Sequence, residues 1–177
     1  MPTSDLYKTC FIHVPKTAGT TIEKYLGMST LDEGWADQNN SPQHKRASVY
    51  NIPEDYFLFS VVRNPYDRII SEYYWRQRLF GLNQSLNQFV KHFTKTYNDP
   101  RWDNHGMPQS WFLDRNFITV FKYEQLNTLW KVLRDITGYN IPDSIPKTYD
   151  HSLLSKASKK YIQTLYDEDF ARFNYNV

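Results

Sequence analysis

A lone cysteine, Cys10, excludes an intrachain disulfide, and its place inside the first apolar run marks it as a small buried hydrophobe. No histidine and cysteine cluster with metal-ligand spacing is present, so no metal site is expected. No stretch approaches the ~20 apolar residues that span a bilayer, and no basic-then-apolar leader opens the chain, so the expectation is a soluble, cytoplasmic protein without a membrane partner. Charge of one sign is not in excess: 21 Lys and Arg against 19 Asp and Glu leave +2, with a pI near 8.5. That balance argues against nucleic acid as a partner and confines any basic patch to a local site. Internal repeats and low-complexity tracts are also missing, and 177 residues fit a single domain, 1–177, with a sizeable core. What the chain has in quantity is aromatic: 17%, with 14 Tyr and 5 Trp. Aromatics in that number suit flat partners such as sugar rings or a purine, and suit a stiff Tyr-rich core equally well.

The stretch Phe11-Ile-His-Val-Pro-Lys-Thr-Ala-Gly-Thr-Thr-Ile22 organises the N-terminal part. Cys10, Phe11, Ile12 and Val14 read as a short buried strand that breaks at Pro15. A helix resumes at Thr20, with Ile22 and Leu26 on one face and Gly27 as its stop. The loop between them carries Lys16, Thr17, Ala18, Gly19, Thr20 and Thr21 at a helix start, where free N–H groups and the positive end of the helix dipole favour an anion. A nucleotide-binding G-x-x-x-x-G-K-[ST] loop puts its lysine after the glycines, whereas here Lys16 comes first.

Beyond a long polar loop from Met28 to Pro53, whose end at Gln43–Tyr50 reads as a short helix, Tyr56–Val62 suits a buried parallel strand. Arg63-Asn64-Pro65 then starts a helix with Tyr66, Ile69, Ile70, Tyr73 and Tyr74 on one stripe. Leu86, Phe89, Val90 and Phe93 mark another helix, and Asn98 to Pro108 is irregular. Phe117–Phe121 reads as a third strand, followed by a helix with Leu126, Leu129, Trp130, Leu133 and Ile136 that ends at Gly138. Pro142 and Pro146 hold a loop, and one last helix runs from Ser158 to Phe173. Strands alternating with helices favour a parallel α/β sheet with ligands at the carboxyl ends of its strands. Arg63 sits at such an end, and Ser71 lies two helical turns on, so the pair could share one phosphate.

Pro15–Thr21 resembles the 5′-phosphosulfate loop (14–22) of carbohydrate sulfotransferases, which use 3′-phosphoadenosine 5′-phosphosulfate, and Phe59-Ser-Val-Val-Arg-Asn-Pro-Tyr-Asp-Arg-Ile-Ile-Ser-Glu-Tyr73 resembles their 3′-phosphate motif (59–73). Lys122-Tyr123-Glu124-Gln125-Leu126 is similar to the family's R-Y-E-x-L, with lysine for arginine, and Leu165–Phe170 with Phe173 and Tyr175 is similar to its L-Y-x-x-D-F-x-x-F-x-Y. The segment between Pro108 and the third strand is short for the family.

The resemblance implies a P-loop-like three-layer α/β fold with a central parallel sheet and flanking helices. It implies transfer of a sulfuryl group from 3′-phosphoadenosine 5′-phosphosulfate to an acceptor hydroxyl on a carbohydrate, leaving 3′-phosphoadenosine 5′-phosphate. Lys16, Thr17, Ala18, Gly19, Thr20 and Thr21 would cradle the phosphosulfate, Arg63 and Ser71 would hold the 3′-phosphate, and Lys16 would serve the leaving group. His44 is the candidate base, with His105, Glu23 and Glu72 in reserve and a structural place for His13. Trp75, Trp102, Trp111, Arg76, Arg78 and Arg101 would suit an anionic sugar polymer, and Gln109 and Ser110 fall where the family's acceptor cleft lies. Two other readings stand beside this one: a P-loop small-molecule kinase, and a non-catalytic module for anionic glycans.

Overall fold

A computed structural model describes residues 3–28, 44–140 and 146–177. A four-stranded sheet runs in the order β1 (Thr3–Ser4), β2 (Thr9–Ile12), β3 (Phe57–Val62), β4 (Thr119–Lys122). The pairs β2–β3 and β3–β4 are parallel; β1, too short to signal itself in the sequence, is antiparallel to β2. The pleat splits the apolar residues between two faces. Phe11 pairs in register with Phe59, and both pack on one face with Val61 against Ile22 and Leu26 of α1 (Gly19–Tyr25) and Leu129, Trp130 and Leu133 of α5 (Leu126–Thr137). Cys10, Ile12 and Val62 face the other way, onto Phe112 of α4 (Gln109–Phe112) and Phe173. Cys10 is fully buried, and burial pushes its thiol up to about 12.

A third apolar cluster lies among helices. Ile69 and Ile70 of α2 (Pro65–Phe80) meet Phe89 and Val90 of α3 (Leu86–Phe93) and Ile162 of α6 (Lys156–Leu165). Local chemistry sets these helices' limits. The Asn64 side chain accepts from Tyr66 N at 2.9 Å, Pro65 occupies the first turn, and Gly81 closes α2 in the left-handed conformation. Ser85 and Gln88 form a capping box at the start of α3.

Several expectations change. The last helix is two, α6 and α7 (Asp167–Arg172), broken at Tyr166, whose buried ring and hydroxyl bond to Gly106 O (2.8 Å) draw the chain inward. Phe117 is not in the third strand: it is 97% exposed in a left-handed conformation (φ 65°). Tyr74 is exposed rather than on the buried stripe of α2. The expected helix at Gln43–Tyr50 reduces to one 3-10 turn, Ala47–Val49, with Gln43 outside the described residues, as is Pro142. Gln109–Phe112, to which the sequence reading assigned no element, is a one-turn helix. Among the described residues no helix is long and apolar enough to cross a membrane.

Trp130 is 1% exposed and joins α5 to α1 through Tyr25 (ring centroids 6.1 Å apart). Trp130→Ala is expected to cost ~3–5 kcal/mol of unfolding free energy in urea titrations; a loss below about 1 kcal/mol would show that this face of the sheet is not a packed core.

Candidate active site

The chain leaves β2 at His13 and enters a loop in which Lys16 (φ 70°) and Ala18 (φ 71°) are both left-handed, an uncommon state for residues with a Cβ. Thr17, fully buried between them, donates its hydroxyl to Val14 O at 2.8 Å and so closes the loop on itself. Thr21 N and Ile22 N both reach Ala18 O, at 3.0 and 3.2 Å, leaving Gly19 N and Thr20 N ahead of the first intrahelical bond of α1. Thr20 and Thr21 are exposed and line an open groove of about 480 Å³ with Lys24, Tyr25 and Tyr139. Gly19 cannot carry a side chain, because a Cβ there would lie 2.0 Å from His13 Nε2. The His13 ring is held in that place by Glu23 Oε1, 2.9 Å from Nδ1, with both groups buried.

The turn after β3 is fixed from several directions. Arg63 N donates to Gln109 Oε1 and Gln109 Nε2 donates back to Arg63 O, both at 2.8 Å. Asp169 in turn accepts from Gln109 N (2.7 Å) and Ser110 N (2.8 Å), capping α4. Asn64 N donates to Glu124 Oε1 (2.8 Å), and Tyr175 OH donates to Glu124 Oε2 (2.8 Å). The Arg63 guanidinium, on a residue only 2% exposed, lies 4.0 Å from the Tyr123 ring centroid. It donates to Lys16 O at 3.1 Å and to Lys147 O, while its buried Nε has no hydrogen-bond partner. Arg68 adds a second strut between the two turns, donating to Pro15 O (3.2 Å) and His105 O (2.8 Å). Ser71 shares a face of α2 with Asp67 and Tyr74. A strap of residues 146–151 crosses that face and is tied down by the bond from Tyr149 N to Asp67 (3.0 Å) and by stacking of Tyr149 on Tyr74.

Beside these turns stands a row of three imidazoles, His13, His44 and His105, with successive ring centroids 4.6 and 4.7 Å apart. Each has its own carboxylate. Besides His13 on Glu23, His44 Nδ1 is 2.6 Å from Asp103 Oδ2, and His105 Nδ1 is 2.8 Å from Glu72 Oε2. Burial, then the neighbouring His13 and His105, push the His44 imidazole well below its usual range, so it is neutral near pH 7. Burial alone would raise the Glu72 carboxyl, but His105, Arg76 and Lys16 hold it at about 2. Arg76 Nε donates to its other oxygen at 2.5 Å. The Lys16 ammonium sits 4.6 Å over the Trp75 ring, and Trp75 stacks on His105. Burial lowers the Lys16 ammonium to about 8, with Glu72 pulling the other way.

The structure thus brings Lys16, Gly19 and Arg63 into one neighbourhood with His44 and His105. It spends the Thr17 hydroxyl inside the loop. His92 is exposed on α3, and His151 pairs with Asp67 at 3.0 Å. Of the aromatic and basic candidates for acceptor contact, Trp75 and Arg76 border the histidine row, with Trp102 stacked on Arg76 at 4.1 Å. Trp111 packs on Arg46 elsewhere, and Arg101 is paired with Asp99. Gln109 and Ser110 act as supports for Arg63. Asp103 escaped the sequence reading, since it meets His44 across 59 residues and no local spacing links them.

A loop with its lysine first is thus joined through an arginine to the turn at the end of the next strand. The pattern described as the sulfotransferase family matches residues 2–176, and the chain belongs to that family. No curated protein and no solved structure matches it.

The contact of Gly19 with His13 is testable by a double-mutant cycle. Gly19→Ala alone is expected to lose ~1–3 kcal/mol of stability through overpacking. In combination with His13→Ala, which removes the ring, most of that loss should vanish; strictly additive costs would mean that the ring does not rest on Gly19.

Proposed function

We propose that the protein transfers a sulfuryl group from 3′-phosphoadenosine 5′-phosphosulfate to a carbohydrate hydroxyl. The observation that carries this reading is the bond from the Arg63 guanidinium to the Lys16 carbonyl, which couples two anion-type turns beside a histidine–carboxylate pair. A nucleotide with phosphate at one end and phosphosulfate at the other presents charge at two separated points, and the P-loop-like arrangement of β2, loop and α1 suits the phosphosulfate. Arg63 fits a phosphate on its own chemistry, with a planar cation, an unpartnered buried Nε and backbone carbonyls that a dianion would outcompete. Ser71, on the face of α2 that also carries Asp67 and Tyr74, would add a hydroxyl.

In the reaction the acceptor oxygen bonds to sulfur as the bond from sulfur to the bridging phosphate oxygen breaks. Charge builds on that bridging oxygen, and Lys16, the first residue of the loop, supplies the cation for it. The N–H groups of Gly19 and Thr20 share the sulfonate's charge. His44 takes the acceptor's proton on Nε2, because Asp103 engages Nδ1 and sets the tautomer. Burial weakens His44 as a base, and the Asp103 carboxylate on Nδ1 would stabilise the imidazolium as it forms. Trp75 and Trp102, with Arg76 between them, offer stacking faces for a sugar ring.

With donor labelled in the sulfonate and a panel of saccharides, label is expected on a hydroxyl of at least one acceptor. His44→Ala should lower that rate by ~10²–10⁴ while leaving binding of 3′-phosphoadenosine 5′-phosphate intact. Arg63→Ala should abolish the preference for the 3′-phosphorylated nucleotide over adenosine 5′-phosphate in thermal-shift titrations. Stabilisation by ATP with magnesium but not by the 3′-phosphorylated nucleotide would turn the reading to a kinase. Binding without any transfer of label would turn it to a non-catalytic module.

A further inference from the structure

We infer that His44, Asp103 and His105 form a binding site for one divalent transition-metal ion of the zinc type, and that the ion silences the proposed base. The ligating atoms of these three side chains all lie within 4.8 Å of one another. Two imidazoles and a carboxylate match the donor preference of zinc, with a water for the fourth position, and suit calcium or magnesium poorly because those ions want oxygen throughout. A tetrahedral site with metal–ligand bonds of ~2.0–2.2 Å has ligand–ligand edges of roughly 3.3–3.6 Å, so the three side chains would close up around the ion.

The surroundings favour that contraction. Asp103 (φ 46°) and Asn104 (φ 60°) are both left-handed, and this tight turn carries Asp103 and His105 on the same side. Asn104 Nδ2 donates to His44 O at 2.8 Å, fastening the turn to the segment that carries the other imidazole. Glu72 holds His105 Nδ1, which leaves Nε2 as the ligating nitrogen and makes the carboxylate–histidine–metal arrangement that stabilises such sites. The Asp103 side chain is 22% exposed, so an ion can enter from its side.

Silencing follows from the chemistry of a single ring. If the ion replaces the proton between His44 Nδ1 and Asp103, the ring's remaining proton sits on Nε2, which then has no lone pair for the acceptor's proton. If Nε2 itself ligates, its lone pair is used. This second half of the inference rests on the sulfotransferase reading above; the binding half does not.

The full chain, freed of metal with a chelator, is titrated with Zn²⁺ by calorimetry and with Co²⁺ by visible absorption. One equivalent of each should bind, with Co²⁺ giving the intense bands of a four-coordinate site. Asp103→Asn, which keeps a bond to the imidazole, and His105→Gln should each weaken binding by at least ~10-fold, and His92→Ala, an exposed histidine, should leave it unchanged. Urea titrations of the variants separate a lost ligand from a lost fold. Equal binding by folded Asp103→Asn and the native chain, or no stoichiometric binding, overturns the site. Zinc bound at one equivalent without slowing label transfer overturns the silencing. A metal-free protein that binds zinc at this site yet transfers no label supports the site and counts against the function proposed above.

Discussion

Everything around the site depends on keeping one arginine out of water. Arg63 is almost fully buried, and a guanidinium in that position is costly unless its donors and its charge find partners. The protein answers with a carbonyl from the loop after β2, a carbonyl from the strap over α2, and the face of Tyr123. Its backbone is held by Gln109, whose own position is set by Asp169. Loosening any of these supports would let the two anion-type turns drift apart, since Arg63 and Arg68 are what tie them together.

The same economy of charge explains the histidine row. Three imidazoles packed ring against ring are each hydrogen-bonded to a carboxylate from a different part of the chain. The pairs have different tasks. His13 with Glu23 is a packing element that forbids a side chain at Gly19. His105 with Glu72 and Arg76 is a buried network that seats Trp75 and, through it, Lys16. His44 with Asp103 is oriented by a carboxylate that keeps some contact with solvent.

The parts of the fold that were legible are those with local signals. Phe57–Val62 is a run of aromatic and β-branched residues ended by Asn64-Pro65, and α2 starts where that pair dictates. Gly27, Gly81 and Gly138 all stand just beyond helix ends with positive φ. The break at Tyr166 carries no glycine or proline and follows from a tertiary bond to Gly106. Phe117 has the composition of a strand residue, yet its left-handed backbone turns it out of the sheet into solvent.

The sequence alone determined the alternation of the three longer strands with helices, and the strand-to-helix turns at Pro15–Thr21 and Arg63–Pro65 with the residues at their tips, because each is encoded within a dozen neighbouring residues. It also determined the family. Only the tertiary structure decided which carboxylate serves which histidine, that Gln109 and Asp169 are supports for Arg63, and that Asp103 stands behind His44. Asp103 meets His44 across 59 residues and Asp169 meets Gln109 across 60, while Glu72 reaches His105 across 33. Their partners are chosen by the way the sheet and helices pack, where burial makes an unpaired polar group too costly to keep.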